Sequence, residues 1–262
     1  MRFAVAFTAL LLVATPLAQA ASAAPAVAEA QADKDRKIVQ KAMNSNDLKT
    51  IRAMVPALED VASRTPSSYP LVEQKDGFIV VRATSPDQGM VPSLIAGMTG
   101  KGDKPNASSR VDIEYNTYGT ALFLLGSAAV EARDMKKAAY WLDKGLALQP
   151  DNLMLVTEKG MVLTVQRRHA DALALYDATF ENASGVLLGD QQGKARLLRA
   201  KGFSLIELNR LEEAEAAYRA SLEIEPDHGG AKHELAYITK LRAGGEQLGM
   251  KLVNGEESKA VK

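Results

Sequence analysis

The feature that most constrains this chain is a spacing. Lys144-Gly-Leu-Ala-Leu-Gln-Pro150-Asp151 and Ala220-Ser-Leu-Glu-Ile-Glu-Pro226-Asp227 share the form of a helix end followed by Pro-Asp, and their prolines lie 76 residues apart, two periods of 34 with eight residues over. A period of roughly 20 to 50 residues is the mark of stacked supersecondary units that cannot bury their apolar faces alone. Units of 34 residues, 119–152, 153–186 and 195–228, with an insertion at about 187–194, put glycine in the eighth place of each: Gly126, Gly160 and Gly202. The twentieth place is alanine in all three (Ala138, Ala172, Ala214) and the twenty-fourth is large (Leu142, Tyr176, Tyr218).

Two antiparallel helices within a unit approach closely only where a side chain is nearly absent. The pattern therefore predicts that the glycines face the alanines across the crossing, with the large residues filling the wedges beside them. Pro150 and Pro226 are expected to end second helices, Asp151 and Asp227 to cap the next helices, and Asn209 to form the turn inside the third unit. The second unit departs from the pattern with Ser184 where the others have proline, and the first has Gly145 where the others have Thr179 and Ser221.

Over Gly119 to His228 this pattern resembles the tetratricopeptide repeat. The resemblance implies an all-α solenoid of three helix pairs, with the first helix of each pair lining a concave groove. That lining would comprise Phe123, Leu124, Met161, Val165, Phe203 and Ile206, joined by Tyr237 from a closing helix at about 231–241. The best-known ligand mode of the family clamps a C-terminal carboxylate with Lys, Asn and Arg. Here the ninth places are Ser127, Met161 and Phe203 and the sixth are Leu124, Glu158 and Ala200, so the asparagines are missing. An apolar lining suits a helix or extended segment of a partner protein. It equally suits the chain's own residues 33–110 folding back into the groove.

Upstream of the repeats, residues 33–64 show helical spacing in two segments, Ile38, Val39, Ala42 and Met43 and then Leu48, Ile51, Met54, Val55 and Leu58. Asn44-Ser45-Asn46-Asp47 supplies a stop and an N-cap between them, and Pro56 is expected to kink or end the second helix. Residues 65–115 change character with repeated prolines and glycines, and only Phe78-Ile79-Val80-Val81 is strand-like, pointing to a short β-hairpin turning at Lys75-Asp76-Gly77. The segment 97–109 reads as a mobile loop and 244–262 as a polar tail.

The first residues follow secretory-signal grammar: Arg2, an apolar run from Phe3 to Val13, Pro16, and Ala18-Gln19-Ala20 as a cleavage site. Residues 1–20 are expected to be a signal peptide and 21–32 a mobile leader, with a periplasmic destination and no membrane span after cleavage. There is no cysteine, hence no disulfide or thiolate chemistry. Lys plus Arg and Asp plus Glu both number 32, with no basic stripe to track nucleic acid.

No cofactor or metal is expected: His228 and His233 are five apart rather than four, and no phosphate loop or nucleophile elbow occurs. Lys194, Arg196, Arg199 and Lys201 cluster at the start of the third unit, where they form either a carboxylate clamp or a solvated face balanced by nearby glutamates. The function these features predict is a non-catalytic scaffold or adaptor for a protein or peptide partner. Alternatives are a docking subunit of an envelope polysaccharide or secretion assembly at the membrane, and a hydrolase with its site in 65–115.

Overall fold

The computed structural model describes residues 17–45, 47–75, 77–84, 110–181 and 190–245. The expected apolar signal core, the 97–109 loop, residues 187–189 of the insertion and the tail beyond 245 lie outside the described residues.

A helical hairpin comes first, α1 (Leu17–Met43) and α2 (Leu48–Ser63). Three strands follow, β1 (Val72–Lys75), β2 (Phe78–Ala83) and β3 (Arg110–Tyr115). Three helix pairs come next, α3 (Thr117–Glu131) with α4 (Met135–Leu148), α5 (Leu153–Val165) with α6 (His169–Glu181), and α7 (Gln191–Glu207) with α8 (Leu211–Ile224); α9 (Gly229–Arg242) closes the array.

The pairs are the 34-residue units, and they stack as a solenoid: α5 packs on both α3 and α4, and α7 on both α5 and α6. The glycines work differently from the expectation. A Cβ on Gly126 would lie 2.7 Å from the Leu142 side chain, one on Gly160 1.9 Å from the Tyr176 hydroxyl, and one on Gly202 2.7 Å from the Tyr218 ring. Each glycine thus makes room for the large residue in the twenty-fourth place itself, and not for the alanine. Ala138, Ala172 and Ala214 are fully buried beside these contacts. The small residues Gly145, Thr179 and Ser221 are all buried: a Cβ on Gly145 would sit 2.7 Å from Leu155 of the following unit, and the hydroxyls of Thr179 and Ser221 donate back to Leu175 O (2.8 Å) and Tyr218 O (2.7 Å) within their own helices.

The turn within every unit is made by the same kind of left-handed residue. Arg133, Arg167 and Asn209 occupy the fifteenth place of their units with φ of 59°, 59° and 56°. The next amide bonds back five residues, Asp134 N to Ala129 O (2.9 Å), Arg168 N to Leu163 O (2.8 Å) and Arg210 N to Leu205 O (2.8 Å), which closes the helix end and reverses the chain. Asn209 was legible in the sequence because asparagine tolerates this conformation; the two arginines were not.

Between units, the caps sit one residue later than expected. Asn152 accepts from Met154 N and Leu155 N, and His228 Nδ1 from Ala231 N, so Asp151 and Asp227 are turn residues and not the N-caps.

The N-terminal hairpin extends this stack. Both α1 and α2 pack on α3, the relation each unit bears to the next. Val39, Ala42, Leu58, Val61 and Ala62 form one core with Ala121, Leu122, Leu124, Leu125 and Trp141. Buried Asp35 closes the hairpin, accepting two hydrogen bonds from Arg64, at 3.0 and 2.7 Å, and one from Gln31 at 2.9 Å.

Two expectations for this region need correction. Helix α1 runs back to Leu17 through residues 21–32, expected to be a mobile leader; the segment is rich in alanine, the strongest helix former. Helix α2 continues through Pro56 to Ser63, because Pro56 is exposed, and so is Arg52, whose carbonyl the proline leaves without an amide. Asp47 caps α2 as expected.

The hairpin β1–β2 forms with Lys75 paired to Phe78, and Gly77 takes φ 84° at the turn. The irregular segment also holds a strand the sequence reading missed: β3 pairs in parallel with β2, giving sheet order β1-β2-β3. The polar and apolar alternation of Arg110 to Tyr115 was the available signal.

A buried amide cluster joins this sheet to the solenoid. Gln149 Nε2 donates to Asn116 Oδ1 (2.9 Å) and to the Tyr69 carbonyl (2.9 Å), while Gln149 Oε1 accepts from Asn116 (3.0 Å) and Asn152 (2.8 Å). Gly119 leaves the space: a Cβ there would lie 2.1 Å from Gln149 Oε1. The Tyr69 hydroxyl accepts from Thr117 N (3.2 Å), its ring meets Tyr118 edge-on, and the Arg82 guanidinium covers it at 4.1 Å.

These contacts set opposite signs for two substitutions in one unit. Gly160→Ala is expected to destabilise by about 1–3 kcal/mol, since the new methyl collides with a buried ring. Arg167→Gly is expected to stabilise by about 0.5 kcal/mol, because it relieves a left-handed backbone at some cost in unfolded-chain entropy. Denaturant unfolding of the two variants checks both signs.

Candidate partner-binding groove

Helices α3, α5 and α7 lie side by side, so equivalent places on them form rows. The ninth places, Ser127, Met161 and Phe203, make one such row. Met161 is 44% exposed, while Phe123, Val165, Phe203 and Tyr237 are half-buried.

The remaining two predicted lining residues belong to the interior. Leu124 is covered by the N-terminal hairpin, and Ile206 is packed in the core that the third unit shares with α9, with Tyr218 and Ile238. The chain's own N-terminal region therefore takes one end of the row. Among the described residues the hairpin packs on α3 and the sheet lies at the N-terminal ends of α3 and α5, leaving Met161 at the surface.

The polar side chains follow the repeat as well. Lys159 pairs with Asp143 (2.7 Å) and Lys201 with Asp177 (2.5 Å), in each case the seventh place of one unit reaching the twenty-fifth of the unit before. Arg199 pairs with Glu225. Two members of the basic cluster are thus tied into contacts between helices, and Arg196 remains exposed. This recurrence was visible in the sequence, as lysine and aspartate at matching places, and it was missed.

Glu158 is different. It is half-buried on α5 and forms no ion pair among the described residues, and its titration is governed by burial, by hydrogen bonding from Ser127 and by the charge of Glu131. Burial pushes its pKa up, the Ser127 bond pulls it down, and the negative charge of Glu131 raises it further.

The histidines hold structural places. His228 caps α9, His169 lies 3.8 Å from Glu207 and beside Phe203, and His233 neighbours Glu234. No group of three or more metal-ligating side chains occurs among the described residues, and none of their helices is long and apolar enough to cross a membrane.

Residues 152–226 match the tetratricopeptide repeat family. Solved structures that resemble the chain include the first tetratricopeptide domain of human RPAP3, at 23% identity over 48% of this chain and 93% of that one, with a TM-score of 0.42. The Sgt2 tetratricopeptide domain from Aspergillus fumigatus is 15% identical over 53% of this chain and 91% of that one, with a TM-score of 0.41. A MamA double mutant is 16% identical over 82% of this chain and 85% of that one, with a TM-score of 0.48. No curated protein matches the sequence.

The raised pKa of Glu158 fixes a pH dependence. A carboxyl whose pKa is higher in the folded state binds its proton more tightly there, so it costs stability once pH rises above the ordinary glutamate range and costs nothing where both states are protonated. Glu158→Gln is expected to raise the melting temperature near neutral pH, with the gain closing as pH falls to about 4. Thermal unfolding across that range checks it; a gain that grew on acidification would contradict the assignment.

Proposed function

We propose that this chain is an exported, non-catalytic scaffold that holds another protein in the groove formed by α3, α5, α7 and α9. The observation that carries the reading is Met161, a large apolar side chain 44% exposed in the middle of the row of first helices. Half-buried Phe123, Val165, Phe203 and Tyr237 extend the apolar surface on either side. Scattered apolar residues on a surface need no explanation, whereas Met161 and Phe203, at equivalent places of adjacent units, suit a docked helix or extended segment. Tetratricopeptide repeats are in general interaction modules rather than catalysts, which agrees with a role in binding.

Export rests on the first residues: one basic side chain, an apolar run and Ala18-Gln19-Ala20. Cleavage after Ala20 would leave α1 beginning at Ala21, with the hairpin core from Val39 onward untouched. The intact mass of the protein recovered from a periplasmic fraction is expected to start at Ala21 and carry no lipid; a mass retaining residues 1–20 would overturn this part of the proposal.

Changing both Met161 and Phe203 to Ser is expected to abolish capture of the partner from a crosslinked periplasm, because large apolar anchors dominate interface energetics. Met161 contributes little to the free protein's core, so the melting temperature should fall only by the share due to half-buried Phe203. Glu223→Lys, an exposed change on α8, is the control. Glu215, also on α8, is unsuited to that purpose, since it ties α8 to α9 through Arg242 and bonds Arg219. Retained capture by the double variant would refute the groove as the binding surface.

A further inference from the structure

We infer that the outer edge of β3 is a second docking site, where an extended segment of a partner protein with basic side chains among apolar ones adds to the sheet as a fourth strand. The inference is independent of the groove reading and stands or falls separately.

The backbone sets the geometry. Asn116 N donates to Ala83 O (2.9 Å), which turns the even-numbered residues of β3 toward β2. Successive residues of a strand alternate, so the N–H and C=O groups of Val111 and Ile113 point away from the sheet. Among the described residues β3 pairs only with β2, and no backbone group bonds to that outer edge. The edge is also reachable: Ile113 is 43% exposed, and a cleft of about 700 Å³ opens beside Ile113, Glu114 and Tyr115 with α1 as its far wall.

An unpaired edge is a template for any extended backbone, so the side chains along it decide what pairs there. A second copy of this chain fits poorly. Antiparallel pairing of β3 with itself about a twofold axis centred on Asp112, Ile113 or Glu114 sets carboxylate opposite carboxylate in each register. A basic segment meets the reverse situation. Arg36, the cation lining the cleft, is held by Asp33, and Asp112 is bonded by Arg110 of its own strand at 2.7 Å. Glu29 of α1 lines the cleft and forms no ion pair among the described residues. Glu114 is half-exposed and 3.5 Å from Arg82, which lies closer to Glu73, at 2.6 Å. Glu29 and Glu114 are therefore the carboxylates open to a ligand, and Tyr115 and Tyr118 beside them supply surface for the stem of a lysine or arginine. A strand of basic and apolar residues in alternation bonds Val111 and Ile113 through its main chain and meets these carboxylates through its side chains.

The test uses the full exported chain as bait for random twelve-residue peptides displayed on phage, with its Ile113→Pro variant as the counter-bait. That substitution removes an outward N–H and leaves the bonds to β2 in place, a position where an edge strand accepts proline. Peptides held by wild type and lost on the variant are expected to alternate Lys or Arg with apolar residues. They should still bind the Met161→Ser, Phe203→Ser variant. A synthetic copy should bind Glu29→Gln, Glu114→Gln about tenfold more weakly than wild type. On wild type it should slow hydrogen exchange at the Val111 and Ile113 amides about tenfold or more, a reading that holds even if Ile113→Pro fails to fold. Edge binders without basic residues, unchanged exchange at both amides, or no such binders would overturn the inference. So would protection of both amides already in the free monomer, which would mean that the chain covers its own edge, or a dimer in sedimentation that Ile113→Pro dissociates, which would give the edge to a second copy.

Discussion

Everything in the repeat array depends on how closely two helices of a unit can approach, and that distance is set by a glycine lying against one large side chain. Leu142 fills the space at Gly126, Tyr176 at Gly160 and Tyr218 at Gly202. Because the contact recurs at the same two places, the angle between the helices recurs too, and each unit offers the next an equivalent surface. Gly145 does the corresponding work between the first and second units, leaving the room that Leu155 of the next first helix takes. The N-terminal hairpin is held by different means, a shared apolar core and the buried Asp35–Arg64 pair.

The amide cluster solves another problem. A small sheet with little core of its own has to be fixed to the helices, and the helices present there the polar starts of α3 and α5. Gln149 meets that need by bonding to Asn116, Asn152 and the backbone at Tyr69, so that the amide side chains at the joint satisfy one another out of water. Asn152 serves both tasks, its amide nitrogen donating to Gln149 while its Oδ1 accepts from Met154 N and Leu155 N to cap α5.

The solenoid was legible in the sequence because its signal is geometric: a period of 34 fixes which residues share a contact, whatever the partner atoms turn out to be. Which atoms those are was less legible, and glycine was assigned to alanine rather than to the larger residue four places on. The parallel strand β3 and the amide cluster escaped for the same physical reason. Both depend on residues far apart in the chain, such as Tyr69 with Gln149, and neither repeats. In the groove, Met161 could be read from the repeat alone, whereas the burial of Leu124 depended on where the hairpin would stack. Glu158 stands in the sequence only as a place where asparagine is absent; its partial burial depends on how the neighbouring unit packs, which no sequence pattern displays.

The position of the sheet also determines how this array can deform. Through Gln149 it is pinned at once to the start of α3 and the start of α5, the two places that must separate if the first and second units are to fan apart. Between the second and third units the described residues supply no such buried clasp; apolar packing joins them, with the Lys201–Asp177 pair and the approach of His169 to Glu207. A stack of identical units would behave as a uniform spring. This one carries a buried polar clasp at the junction of its first two units that the described residues of the other junction lack. Fanning the first unit away from the second has to break the Gln149 bonds, whereas parting α7 from α5 and α6 strips apolar contacts and the Lys201–Asp177 pair.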